Sequence, residues 1–286
     1  MQLIRLALLQ YAWLGSREAM QQVCRTLLAE AAGRGATLVC LPEFSLIPYF
    51  PSTTDPAGFA WAEPVQGGPN DRFFGALARE HRLTIISSIF EQADGRCFDT
   101  AVVHGPDGTV AGVTRKVHLP SGEGYNETHF FQPGESYPVH DIGALRLAAP
   151  TCYDQWFPEM ARICAMNGAE FIYYPTAIGS EPTDPAMDTS AMWQTVMRGH
   201  AIANGVFIAA ANRVGAEPPV TFYGSSFICD PMGRVLAQAG RDTTEVITAD
   251  LDPHALMHWR ALFPLLHQRA PATYARLLDR YQTQDV

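Results

Sequence analysis

The chain is predicted to be an α/β protein, and three observations carry that expectation. Runs with helically spaced apolar residues alternate with short apolar strand-like runs through most of the 286 residues. The order strand, helix, strand, loop, helix, strand, hairpin occurs twice, without visible sequence identity between the halves. No Pro/Gly/Ser-rich linker or charge run separates those halves, so they read as one domain of two similar layers. A hydrophobic content of 47% is enough to bury a large core.

Leu3 to Leu9 is a first strand. Ser16 is placed to cap a helix whose apolar positions Met20, Val23, Cys24, Leu27, Leu28 and Ala31 share one face, with Gly33 and Gly35 closing it. Thr37 to Leu41 is a short strand that delivers Pro42-Glu43-Phe44 at its end. From Tyr49 to Gly68 the prolines and the Gly67-Gly68 pair predict a long irregular loop of the kind that frames a site. Asn70 is expected to cap a helix carrying Phe73, Phe74, Leu77 and Ala78. A strand from Leu83 to Phe90 follows, and turns at Asp94-Gly95 and Pro106-Asp107-Gly108 bound strands near Phe98 to His104 and Val110 to Arg115.

In the second half, Leu147 to Ala149 is apolar and strand-like, Cys152 follows at once, and Pro158-Glu159 opens a helix ending near Gly168. Phe171 to Tyr174 is a strand, Pro175 to Pro182 a loop, Ser190 to Asn204 a helix, and Val206 to Ala211 a strand. Strands around Ser225 to Cys229 and Val235 to Ala237 turn at Pro231-Met232-Gly233, and Glu245 to Leu251 is the last strand. We therefore expect a domain over residues 1–252 and a C-terminal tail over 253–286 with a short helix from about Ala272 to Tyr281.

Charge and cysteine usage exclude several functions. A net charge of -9 without a basic stretch leaves nucleic acid nothing to grip. The apolar start is interrupted by Arg5 and runs into a helix pattern, so it reads as a strand and not as a leader; no apolar run approaches the roughly 20 residues of a membrane span. A cytoplasmic protein with no membrane partner is expected. The 6 cysteines are far apart and form no C-x-x-C, and the pair His254 and His258 has no evident third ligand, so no metal is expected.

Three predicted strand ends carry Glu43, Lys116 and Cys152. Together they would make a set for covalent acyl transfer without metal or cofactor. A carboxylate among Leu41, Phe44 and Leu46 has raised proton affinity and can take a thiol proton near neutral pH. The sulfur is then the nucleophile, and Lys116 with backbone N–H groups near Tyr153 stabilises the oxyanion. A thiol between a strand end and a helix start is also expected to favour thiolate. Taken singly, each has an ordinary reading: a cysteine in an apolar stretch packs as a small hydrophobe, and a strand-end Glu or Lys is commonly solvated. Spacing alone leaves both readings open.

The segments Leu41-Pro42-Glu43-Phe44, Arg115-Lys116-Val117-His118-Leu119-Pro120 and Cys152-Tyr153-Asp154-Gln155-Trp156-Phe157-Pro158-Glu159 resemble, in order, the three catalytic motifs of the carbon-nitrogen hydrolase (nitrilase) superfamily. The likeness continues through Gly124-Tyr125-Asn126-Glu127, Tyr174 to Pro182, Gly199-His200-Ala201, Ala211-Asn212-Arg213 and Thr221 to Ile228, spanning about Leu3 to Leu251. It implies an α-β-β-α sandwich of two mixed sheets and a homodimer or higher homo-oligomer, with the tail at an interface. It also implies that Glu43 is the general base, Lys116 the oxyanion partner, Cys152 the nucleophile and Glu127 a supporting second glutamate. Tyr49, His118, Tyr153, Trp156, Thr176, Ala177 and Glu181, in the motifs or the loops that frame them, are the candidates to bind substrate.

Tyr153-Asp154 after the cysteine resembles the amide and carbamoyl branches, where nitrile hydrolases typically have Trp-Glu. Gln155-Trp156 stands where the enzymes acting on N-carbamoyl-D-amino acids carry paired arginines that grip a carboxylate. The runs are most like those of N-carbamoylputrescine amidohydrolases, which implies a small-molecule N-carbamoyl amine or amide as substrate. Glu181, Asp184 or Asp188 is then available to a substrate ammonium. An aliphatic amidase, a nitrilase or a catalytically silent scaffold subunit are the alternatives. Pro150-Thr151, where relatives usually have Gly and a β-branched residue, and His267 to Pro271, which only partly matches the relatives' Arg-rich segment, depart from the family.

Overall fold

The computed structural model describes residues 3–280. In the first half, strand β1 (Ile4–Gln10), helix α1 (Arg17–Gly33), β2 (Leu38–Cys40), α2 (Pro69–His81), β3 (Thr84–Ala93), β4 (Arg96–His104) and β5 (Val110–Arg115) follow one another, then the one-turn helix α3 (Glu127–Phe130). The second half runs β6 (His140–Asp141), β7 (Arg146–Ala148), α4 (Pro158–Met166), β8 (Phe171–Pro175), α5 (Ser190–Asn204), β9 (Phe207–Ala211), the hairpin β10 (Val214–Glu217) and β11 (Val220–Tyr223), β12 (Phe227–Cys229), β13 (Val235–Gln238), β14 (Glu245–Leu251) and α6 (Pro253–Leu262).

Two six-stranded sheets result, ordered β14-β1-β2-β3-β4-β5 and β13-β12-β9-β8-β7-β6. Each has three parallel strands at its centre, β1-β2-β3 in one and β7-β8-β9 in the other, flanked by antiparallel ones. The doubled order of the sequence thus becomes two sheets of one topology. Leu6, Leu8, Ile86 and Val103 of the first sheet meet Leu147, Phe171, Ala209 and Ile228 of the second in a buried core between them. On the outer faces, Met20, Leu27, Phe74 and Leu77 of α1 and α2 cover the first sheet, and Met160, Cys164, Trp193 and Met197 of α4 and α5 cover the second. This is the expected α-β-β-α sandwich. The central strands are apolar throughout because both of their faces are buried.

Local expectations mostly hold. Ser16 Oγ accepts the Ala19 N–H at 3.2 Å and caps α1, and Gly205 ends α5 at φ +59. Asn70 is a correction. Gly68 caps α2 with Pro69 after it, while Asn70 is buried and its Oδ1 accepts from Ser87 Oγ at 2.9 Å, so its side chain ties the helix to β3. The expected tail helix is also corrected. Residues Pro271–Thr273 and Ala275–Leu278 form two short 3-10 turns with nothing buried, and Tyr281 lies outside the described residues. A segment that packs no apolar face has little to hold it as an α-helix. The β10-β11 hairpin and α6, absent from the sequence expectation, complete the chain; Leu256 of α6 enters the core between the sheets.

Candidate active site

Three chain segments that leave strand ends in the two sheets converge on one buried cluster. Glu43 follows β2, Lys116 follows β5 directly, and Cys152 follows β7. Lys116 Nζ lies 2.8 Å from Glu43 Oε1, 2.6 Å from Glu127 Oε2 and 3.3 Å from Asp99 Oδ2, and all four side chains are fully buried. Tyr49 Oη donates to the other Glu127 oxygen at 2.9 Å. The carboxylate atoms of Glu43, Asp99 and Glu127 lie within 4.8 Å of one another, and the cation they surround is the Lys116 ammonium.

Burial sets the proton affinities. It pushes the Glu43 carboxyl well above the usual range, Lys116 opposes the shift, and Asp99 and Glu127 add to it. Glu127 is raised to about 7, again by burial against the pull of Lys116. Burial alone would lower Lys116, but the charges of Glu127 and Glu43 outweigh it and leave the ammonium held well above its ordinary value. A buried cation survives only with such partners.

Cys152 is 6% exposed. Its backbone has φ +42, a left-handed conformation that a side chain adopts only under constraint from its surroundings. Thr151 before it is extended at φ -114 and ψ 134, so Pro150-Thr151 continues the strand line and the bend falls on the cysteine itself. The expectation of a resting thiolate is corrected: burial and the nearby Glu43 charge push the Cys152 thiol well above its ordinary value despite Lys116. The segment after it, Cys152–Trp156, is a 3-10 turn, too short to supply a strong dipole. The Glu43 carboxyl, whose charge contributes to that shift, is itself raised.

Other contacts clamp the loops. Asp154 accepts from His118 N at 2.9 Å, from Val117 N at 3.3 Å and from Thr151 N at 3.2 Å, and His118 Nδ1 is 2.7 Å from it. It bolts the cysteine turn to the lysine loop. Arg213 Nη1 donates to the carbonyls of Glu43, Phe44 and Ile47 at 3.2, 3.3 and 3.1 Å, while its Nη2 pairs with Glu217 at 2.7 Å. These three carbonyls belong to the loop that carries Glu43. Tyr173 Oη from the second sheet donates to the Leu41 carbonyl just ahead of it.

Outside the cluster opens a cavity of about 470 Å³ whose wall includes Cys152, Glu127, Tyr125, Tyr153, Trp156, Ala177, Glu123 and Glu181. Of the substrate-binding candidates, Tyr153, Trp156, Ala177 and Glu181 line it. Tyr49, His118 and Thr176 are not among the residues that line it. Tyr49 is occupied with Glu127, His118 stacks on Phe157 at 3.6 Å between centroids, and Thr176 Oγ1 donates to Gln155 at 3.3 Å. Asp188 pairs with Arg241 at 3.1 Å, away from the cavity. Asp99, Arg213 and Glu123 had no assigned role from the sequence. An acid inside the otherwise uncharged Phe98 to Val103 run was the one available sign for Asp99, because a strand buried on both faces admits a carboxylate only with a partner.

Comparison with known proteins agrees with this architecture. The chain is 34% identical over 97% of its length, and 99% of the other's, to a citrullinase of Francisella tularensis. It is 35% identical to an N-carbamoylputrescine amidase of Solanum lycopersicum, covering 96% of this chain and 95% of that one. A solved carbon-nitrogen hydrolase from Helicobacter pylori G27 superposes with a TM-score of 0.93 at 35% identity, over 98% of this chain and 100% of that one. Residues 5–261 match the carbon-nitrogen hydrolase family. The chain belongs to that family and is a carbon-nitrogen hydrolase of the nitrilase superfamily.

Proposed function

We propose that this enzyme cleaves the carbamoyl C–N bond of a linear N-carbamoyl amine whose far end is a cation, with N-carbamoylputrescine the favoured substrate. The observation that carries this reading is the cavity wall. It bears the carboxylates of Glu123 and Glu181 and, among the described residues, no lysine or arginine. A substrate ammonium finds partners there, and a substrate carboxylate finds none. Burial and the neighbouring Asp184 raise the Glu181 carboxyl, a cost that a bound cation would relieve. The relatives named N-carbamoylputrescine amidase support the same chemistry.

In the proposed reaction Cys152 Sγ attacks the carbamoyl carbon while Glu43 takes the thiol proton. Lys116 Nζ and the first N–H groups of the Cys152–Trp156 turn, which lack helical partners, receive the developing oxyanion. Glu43 passes its proton to the departing nitrogen, ammonia leaves, and a thiocarbamate ester remains on the sulfur. Glu43 then takes a proton from water as the water attacks. The sulfur leaves with that proton, and the resulting carbamate falls to carbon dioxide and the free amine.

Ammonia release across N-carbamoylputrescine, citrulline, N-carbamoyl-D-amino acids, aliphatic amides and nitriles tests the reading. N-carbamoylputrescine is expected to give the highest kcat/KM. Citrulline is the second substrate to weigh because of the citrullinase relative; its far end carries an α-ammonium that Glu123 and Glu181 can meet together with an α-carboxylate for which the wall offers no cation. Equal or better turnover of a nitrile or an acidic substrate would sink the proposal. Glu181→Gln is expected to raise KM for N-carbamoylputrescine roughly tenfold with little change in kcat, as for a half-buried charge pair made equally in ground and transition states. A kcat loss at unchanged KM would place Glu181 elsewhere in the reaction.

A further inference from the structure

Asp99 lies in β4 opposite Phe90 of β3, and its side chain is fully buried. Its Oδ1 accepts from Ser88 Oγ at 3.4 Å and its Oδ2 is 3.3 Å from Lys116 Nζ. The Lys116 backbone N–H also donates to the Asp99 carbonyl at 2.8 Å, so one residue of β4 holds Lys116 at both ends. Neutralising the ammonium does not require it, since Glu43 and Glu127 are both closer. A third carboxylate around a single cation leaves the cluster with negative charge in excess, in a place where charge is expensive. The site keeps it next to the residue that must receive a proton.

We propose that Asp99 is a positioning residue for this reaction: it pins the Lys116 ammonium from β4 and supplies the negative charge that lets Glu43 accept the Cys152 proton. The proposal rests on the reading of Cys152 as nucleophile and Glu43 as base. In the step itself the S–H bond breaks, its proton joins a Glu43 oxygen, and the sulfur electron pair forms the bond to carbon. Asp99 forms no bond and exchanges no proton. The groups facing Glu43 are Lys116 after β5, Asp99 on β4, Glu127 at the start of α3 with Tyr49 Oη behind it, and Cys152 after β7. Arg213 reaches only the Glu43 carbonyl. After burial, the Glu43 carboxyl is pushed up by the charges of Asp99 and Glu127, both acting against Lys116.

Alkylation of Cys152 in the full chain by iodoacetamide, a small amide electrophile, tests this without presuming a substrate. Its rate is followed by peptide mass mapping from about pH 4.5 to 9. Asp99→Asn removes the charge at nearly constant shape, so Glu43 becomes a weaker base. The midpoint of the acid limb is expected to move down by about one pH unit, and the plateau rate to fall roughly tenfold. Asp99→Glu, which restores the charge, brings the midpoint back. If Asp99→Asn fails to fold, the smaller neutral Asp99→Ser supplies the same comparison. A rate lowered equally at every pH with the midpoint unmoved, or no change at all, overturns the role of Asp99. Failure of wild-type Cys152 to react ahead of the other cysteines overturns the nucleophile reading itself and this proposal with it, so the two failures are told apart.

Discussion

Replacing Cys152 by alanine is expected to abolish ammonia release, by roughly 10⁶-fold in kcat, with the fold and melting temperature nearly unchanged. The magnitude follows from what the sulfur alone supplies. Glu43, Lys116 and Glu127 contact one another and not the thiol through any bond the variant removes, so the buried cluster stays paired. Positive φ at position 152 is tolerated by Ala about as well as by Cys, so the bend should persist. Glu43→Gln is the companion experiment. It keeps shape but removes the base, and a loss of about 10³-fold is expected at neutral pH. Because the Glu43 carboxyl sits well above its usual range, wild-type activity should rise with pH as that proton is lost, and the Gln variant should lose that acid limb. Measurable turnover by Cys152→Ala above a few parts in 10⁴ would show that water, and not sulfur, attacks.

Lys116→Met is expected to be the most damaging of these changes to stability. Methionine fills similar space, but Glu43, Asp99 and Glu127 would remain buried together without their cation. Removing one partner of a buried ionic group costs about 3–5 kcal/mol, which corresponds to roughly 10 °C in melting temperature for a chain of this size. The deficit should depend on pH with a definite sign. Loss of the ammonium raises the folded-state proton affinity of Glu43 and Glu127 further, and both are already above their unfolded values. Groups raised on folding contribute stability at low pH and lose it as pH climbs through the folded value. The variant's melting temperature should therefore approach that of wild type near pH 5 and fall furthest behind near pH 8. A pH-independent gap in thermal denaturation would mean that the carboxylates find another way to lose charge.

Much of this site was legible in the sequence because its chemistry rides on strand ends. Glu43, Lys116 and Cys152 each follow a strand-like run whose end is marked by Pro42, by a charged pair or by Pro150, so the three segments stood out in the sequence, and the resemblance to the family's motifs then joined them. The doubled helix-strand rhythm became two sheets of equal topology because apolar periodicity reports which faces are buried. Less legible were groups whose role depends on what crosses over them. Arg213 reads as an ordinary arginine after a strand, yet it holds three carbonyls of a loop from the other half. Asp154 followed the cysteine in plain sight, but its acceptance of hydrogen bonds from Val117 and His118 is a tertiary fact. The thiolate expectation failed for a related reason: a helix start was visible, whereas the extent of burial was not.

The pairing of β14 with β1, from Ile4 opposite Leu251 to Gln10 opposite Glu245, joins residues some 240 positions apart. During synthesis every group of the catalytic cluster leaves the ribosome before the strand that completes the first sheet's edge. Until then β1 has one open side, and so does the sheet from which Glu43 and Lys116 are presented. Such a distant closure makes assembly slow, since the loop entropy must be met before the contact repays it. Enzymatic competence is thereby tied to a late event in chain maturation: a ribosome-bound fragment can own the thiol, the acid and the amine and still lack the frame that brings them together.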